Sequence, residues 1–213
     1  MKLGCFGCLF LIIAIFTGSL LIGGAIFVAI NVFGTPDLRP ASFSSEDGDS
    51  AQQKLYEVLL RQSGRSSRKN PITLGEREAN AFLSHHLAEA AGLPLSPLAL
   101  RFERGQLLAQ GQTPLRHLFR GPLLARLLPY LPDNTLDQPV WVTIRGKVGV
   151  DASTATHYGT VSLTEFELGR QRLSRVLLYV MMGPSGAGLF RWRVPSVVES
   201  IEISDGHATI RTR

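Results

Sequence analysis

From Leu3 to Pro36 the chain carries no charged side chain: GCFGCLFLIIAIFTGSLLIGGAIFVAINVFG follows Met1-Lys2-Leu3, and Lys2 is the only charge before Asp37. A hydrocarbon core of ~30 Å is crossed by about 20 apolar residues rising ~1.5 Å each, so the run is long enough to span a bilayer as one helix. The expectation is a transmembrane anchor over residues 1–33, a linker over 34–50 and a single domain over 51–213. A cleaved signal peptide fits less well, because its apolar region ends after about 7 to 15 residues at a small-x-small site. This run continues from Leu20 to Phe33. A lipoprotein signal fails for want of any apolar region ahead of Cys5. The tiny tail with Lys2 favours a cytoplasmic N-terminus, which places the domain on the non-cytoplasmic side of a cell (inner) membrane.

The formal net charge is +5. Its basic residues are scattered and nowhere form an aromatic-interleaved stripe, which argues against nucleic acid as a partner; a solvated surface or nearby anionic headgroups account for the excess. Both cysteines, Cys5 and Cys8, fall in the apolar run, so the domain has no disulfide of its own. Packing residues or lipidation sites are the readings left for them.

Along the domain, Ser50 is placed to cap a helix reaching about Gln62, with Leu55, Val58, Leu59 and Gln62 on one narrow face. A basic, Ser-rich loop over 63–70 ends it. Thr73 and Glu76 stand in capping-box spacing ahead of a helix whose stripe is Ala79, Phe82, Leu83, His86, Leu87 and Ala90, with Gly92 and Pro94 as the stop. Alternation at Leu98, Leu100 and Phe102, followed by Arg104-Gly105, predicts a hairpin into 106–110. Pro122 and Pro129 split the Leu-rich stretch 115–131 into two short helices. Strands follow over 138–150 and 157–168, the second slipping phase near Thr164 and Glu165 as at a bulge. The apolar run 173–182 is too short to span a membrane and is expected buried or against a bilayer. A hairpin across Asp205-Gly206 closes the chain.

No catalytic constellation survives inspection, so the chain is not expected to be an enzyme. The glycines of 183–188 have the spacing of a phosphate loop, but Leu189 and Phe190 stand where its lysine and hydroxyl belong. As a nucleophile elbow the stretch fails at Ala187. His85 and His86 point about 100° apart on a helix and cannot face one ion unaided, while His117, His157 and His207 are scattered. No metal or cofactor is expected.

Pro71-Ile72-Thr73-Leu74 with Glu76, Glu78, Asn80 and Leu83 resembles the ITLTExELNxLL opening of small bacterial membrane-anchored proteins of the YpmS kind. Phe166-Glu167-Leu168-Gly169 and the closing 200–210 look like the same families' later strand and final hairpin. The resemblance implies a distant likeness to tubular lipid-binding domains, in which a curved antiparallel sheet wraps a helix around an apolar cavity. The fold class expected is therefore α+β: an N-terminal transmembrane helix, then one domain of curved antiparallel sheet packed with helices.

Two functional readings stay open. One is a non-catalytic, membrane-anchored envelope protein whose domain takes phospholipid or fatty acid in a pocket lined by Phe82, Leu83, Leu87, Leu163, Phe166, Leu177 and Met181, the methionines suiting flexible apolar ligands. The other is a structural or scaffolding envelope protein with a filled core and a protein partner. Whether the apolar helices enclose space or fill it decides between them.

Overall fold

The computed structural model describes residues 16–20, 23–24, 26–27, 30–36, 42–90, 97–119, 121, 126, 129, 132–153, 156–182 and 190–213. Alternating, β-branched-rich segments form most of the domain as strands. Among the described residues there are nine, in two antiparallel sheets. The larger sheet has the order β2 (Leu98–Glu103), β3 (Gln106–Pro114), β4 (Pro139–Asp151), β5 (Tyr158–Leu168), β6 (Gln171–Leu173), with β7 (Arg191–Arg193) paired to the start of β5. The smaller has the order β1 (Ile72–Gly75), β9 (His207–Thr212), β8 (Val198–Ser204). The longer helices of the domain among the described residues are α1 (Ser45–Gln62), α2 (Glu76–Ala90) and α3 (Arg175–Met182).

The expected α+β domain with one curved sheet is thus corrected to a mostly antiparallel β-structure of two sheets with few helices. The strands at both ends of the domain pair with each other instead of joining the main sheet: Ile72 sits opposite Ile210, and β9 pairs β8 in turn. The transmembrane helix is corrected too. Residues 16–20, 23–24, 26–27 and 30–32 are helical, but among the described residues no helix is long and apolar enough to cross a membrane. The single-pass anchor over residues 3–33, its signal-anchor orientation and the inner-membrane placement lose their support with it; residues 3–15, 21–22, 25 and 28–29 of that run lie outside the described residues.

The end of this N-terminal segment is docked on the large sheet. Val32 and Phe33 pack against its core, the Arg170 N–H donates to the Asn31 carbonyl at 2.8 Å, and Arg170 Nε donates to the Thr35 carbonyl at 2.9 Å. Gly169 makes that approach possible: its φ is +60°, and a Cβ there would meet the carbonyls of Asn31 and Val32.

Three apolar clusters hold the rest. Between α3 and the large sheet, Leu115, Leu118, Val140, Val142, Leu163, Phe166, Leu168, Leu178 and Met181 are all buried together. Val58 of α1, Ile72 and Val198 form a second cluster, and Ala79, Phe102 and Ala208 a third that joins the two sheets.

The seam between the sheets is also polar. The edge of β2 would expose a row of unpaired backbone groups, a template for unwanted pairing. Asn80, 1% exposed, covers it as a stand-in strand: its Oδ1 accepts the Leu100 N–H at 2.6 Å and its Nδ2 donates to the Leu100 carbonyl at 2.8 Å. Glu76 Oε2 accepts the Phe102 N–H, and the Phe102 carbonyl accepts from Gly206 in the β8–β9 turn.

Several expectations hold. The hairpin at Arg104-Gly105 forms with both residues at positive φ, as a tight two-residue hairpin turn requires. The slip in β5 is a bulge: Arg145 pairs Glu165 and Gly146 pairs Leu163, leaving Thr164 extra. The Asp205-Gly206 hairpin and the helix near 173–182 are present. The two short helices expected over 115–131 fall mostly outside the described residues, which show a 3-10 turn at Leu115–Leu118 and a helical turn at Asp133–Leu136. The glycine stretch 183–188 also lies outside them.

Candidate functional site

An open groove of about 560 Å³ runs between α1 and β1. Its walls are Gln53, Lys54, Tyr56, Glu57 and Leu60 of α1, Arg68 of the following loop, and Pro71, Ile72 and Thr73. A smaller hollow of about 340 Å³, lined by Asp49, Gln52, Gln53 and Tyr56, continues it along the helix. Tyr56, 56% exposed, stands on the ridge between them.

The helix wall begins earlier than Ser50. Ser44 is the N-cap: its hydroxyl accepts the Asp47 N–H while the Asp47 carboxylate accepts the Ser44 N–H at 2.7 Å, a capping box that places the helix start inside the 34–50 segment. The Ser44 backbone bond, reinforced by its hydroxyl and by Arg77, holds the Asp47 carboxyl below the usual range.

Two half-buried ion-pair networks fix α1 at its place. Glu78 of α2 accepts from Lys54 Nζ at 2.7 Å, from the Ser50 hydroxyl and from the Gly75 N–H at 2.7 Å. Burial pushes the Glu78 carboxyl up, but the bonds from Lys54, Ser50 and Gly75 together outweigh it and its pKa is lowered. One turn beyond, Arg61 takes the buried position that hydrophobic spacing assigns to Leu59, which is exposed instead. Its donors are satisfied there, Nη1 by the Asn70 carbonyl at 2.9 Å and the Thr212 hydroxyl at 2.7 Å, Nε by Glu57 at 3.2 Å. Glu57 also accepts from the Ser66 hydroxyl at 2.6 Å, and that bond, then Arg61, lowers its pKa.

The strand wall is an edge. Thr73 does not cap α2 as its spacing from Glu76 suggests; it lies in β1 opposite Thr209, and the helix starts at Glu76. The Glu76 N–H donates to Gly206 on the β9 side. Strand residues alternate, so the backbone groups of Leu74 and Ile72 face β9 and those of Gly75 and Thr73 face outward. Glu78 takes the Gly75 N–H. Among the described residues the Thr73 N–H and carbonyl have no partner.

Of the residues expected to line a lipid pocket, Leu163, Phe166 and Met181 meet in the large-sheet core, each at most 6% exposed. Leu177 turns outward on α3, 37% exposed. Phe82 and Leu83 are half-buried on α2, away from that cluster, and the Leu87 side chain lies outside the described residues, as do those of His85 and His86. Among the described residues no three His, Cys, Asp or Glu side chains gather as a metal site would require. Hydropathy reading passed over Tyr56, Arg68 and the Thr73 edge; the signal for the edge was the four-residue run Ile72-Thr73-Leu74-Gly75 between Pro71 and a helix start, too short to stand out. In comparisons with known proteins the chain matches no family model, no curated protein and no solved structure, so the resemblance of residues 71–213 to the YpmS kind gains no support.

Proposed function

We propose that this chain is a non-catalytic interaction domain, a scaffold with a filled core that holds a protein partner on its outer surface at the α1–β1 groove. The observation that carries the reading is the packing of Leu163, Phe166 and Met181. Where a lipid carrier would keep space, these side chains meet Val140, Val142 and Leu178 in one buried cluster. The open concavity lies on the outside, beside an edge strand and under an exposed tyrosine. Exposed aromatic rings supply large contact area at low entropic cost and are enriched in protein interfaces. A photo-crosslinking residue at Tyr56, with a second chain carrying it at exposed Lys147 as control, tests this in cells that make the protein. A discrete protein adduct from position 56 alone is expected. Lipid adducts, or the same adducts from both positions, would overturn the reading.

A further inference from the structure

We infer that the groove takes an extended, acidic peptide segment that adds as a strand to the outer edge of β1; this rests on the interaction reading above. Thr73 offers an outward N–H and carbonyl with no partner among the described residues, the pair that an added strand would bond. An edge left open in this way is normally blunted by a charge, a proline or a covering element. The β2 edge of the large sheet is so covered, since Asn80 and Glu76 occupy the backbone of Leu100 and Phe102. At β1, Pro71 one step before the strand and Glu78 on the Gly75 N–H shorten the edge to Thr73, and α1 stands off it by the width of the groove.

The charge of the occupant follows from what the groove's own charges already hold. Lys54 is paired with Glu78 and Glu57 with Arg61, so neither is spare. The loop between α1 and β1 is different: Arg65, Arg68 and Lys69 are exposed, and none forms an ion pair among the described residues, although Arg68 lies near enough to Glu57 to help lower its pKa. Arg68 therefore stands in the groove wall, with Arg65 and Lys69 in the same loop that joins α1 to β1. A strand pairing at Thr73 would place its side chains alternately toward Tyr56 and Leu60 and toward solvent, with acidic residues toward the basic loop. Such charge complementarity selects the partner and its register.

The test is a selection from a phage-displayed library of linear random peptides on the immobilised full chain, followed by binding of the selected peptides in solution. Enrichment of acidic, proline-poor sequences is expected, with affinity falling as salt rises. Thr73→Pro removes the outward N–H without breaking a ladder bond and should weaken binding about tenfold, while Thr73→Val keeps the N–H and should bind as the parent does. Replacing Arg65, Arg68 and Lys69 together by glutamine should also cost about tenfold. This loop variant serves if Thr73→Pro disturbs the fold. Slowed hydrogen exchange at the Thr73 amide on peptide addition reads the strand pairing directly. Peptides that bind Thr73→Pro and the loop variant as tightly as the parent, or no enrichment at all, would overturn the inference. A protein adduct at position 56 without peptide binding would leave the interaction reading standing and remove strand addition alone; lipid adducts without peptide binding would remove both.

Discussion

Replacing Asn80 should show how much of the fold depends on the polar seam between the sheets. The side chain is 1% exposed and makes three bonds: Oδ1 accepts from Leu100 N–H at 2.6 Å, and Nδ2 donates to the carbonyls of Leu100 and Glu76, each at 2.8 Å. Asn80→Leu keeps the branching and the number of side-chain heavy atoms but leaves the Leu100 N–H and carbonyl without partners. A buried polar group stranded in this way costs about 1–3 kcal/mol, so the pair amounts to roughly 2–6 kcal/mol. Against a typical domain stability of about 5–15 kcal/mol the loss is large. Asn80→Asp keeps the acceptor, yet it loses the donor and sets a charge beside the Leu100 carbonyl, so it should rescue little. Urea unfolding followed by tryptophan fluorescence measures both variants, with the midpoint falling at unchanged slope. A loss for Asn80→Leu below about 1 kcal/mol would refute the claim that Asn80 serves as the missing strand partner of β2.

Further perturbations test other joints. Phe166→Ala, at 1% exposure in the filled cluster, should cost roughly 3–5 kcal/mol in the same unfolding assay. Gly169→Ala combines a left-handed backbone with a Cβ driven against the carbonyls of Asn31 and Val32; it should detach the N-terminal segment, seen as faster exchange of the Arg170 amide that bonds Asn31. Because the Glu78 carboxyl is held below the ordinary glutamate value of 4.5, its stabilisation is complete above that value and lost as pH falls through the lower folded value. Stability should therefore decline on acidification in that window, and Glu78→Gln should flatten the decline.

What the sequence disclosed depended on how local each signal was. The Arg104-Gly105 and Asp205-Gly206 turns and the extra Thr164 of β5 were legible because a turn dipeptide or a break in alternation lies within a few residues. For the N-terminal run, composition showed an apolar stretch of spanning length, but among the described residues no helix is long and apolar enough to cross a membrane. At Thr73 two local rules competed: Thr-x-x-Glu spacing suggested a cap, but pairing with Thr209, far along the chain, drew the residue into a strand. The role of Asn80 depends on Leu100 and on an edge that exists only once two sheets have assembled, so no spacing rule could have found it. The groove was hidden for the same reason. Its α1 wall is tied to β9 by a buried Arg61, and that position looked polar until Thr212 and the Asn70 carbonyl came to meet it.

The filled core is the point on which the functional account turns, and native mass spectrometry of the full chain after incubation with fatty acid and phospholipid tests it most directly. Phe166, Leu163 and Met181 at most 6% exposed predict the mass of the bare polypeptide, with any lipid lost at mild activation. One acyl lipid retained per chain, and lost on introducing a bulkier side chain at Leu177, would contradict it.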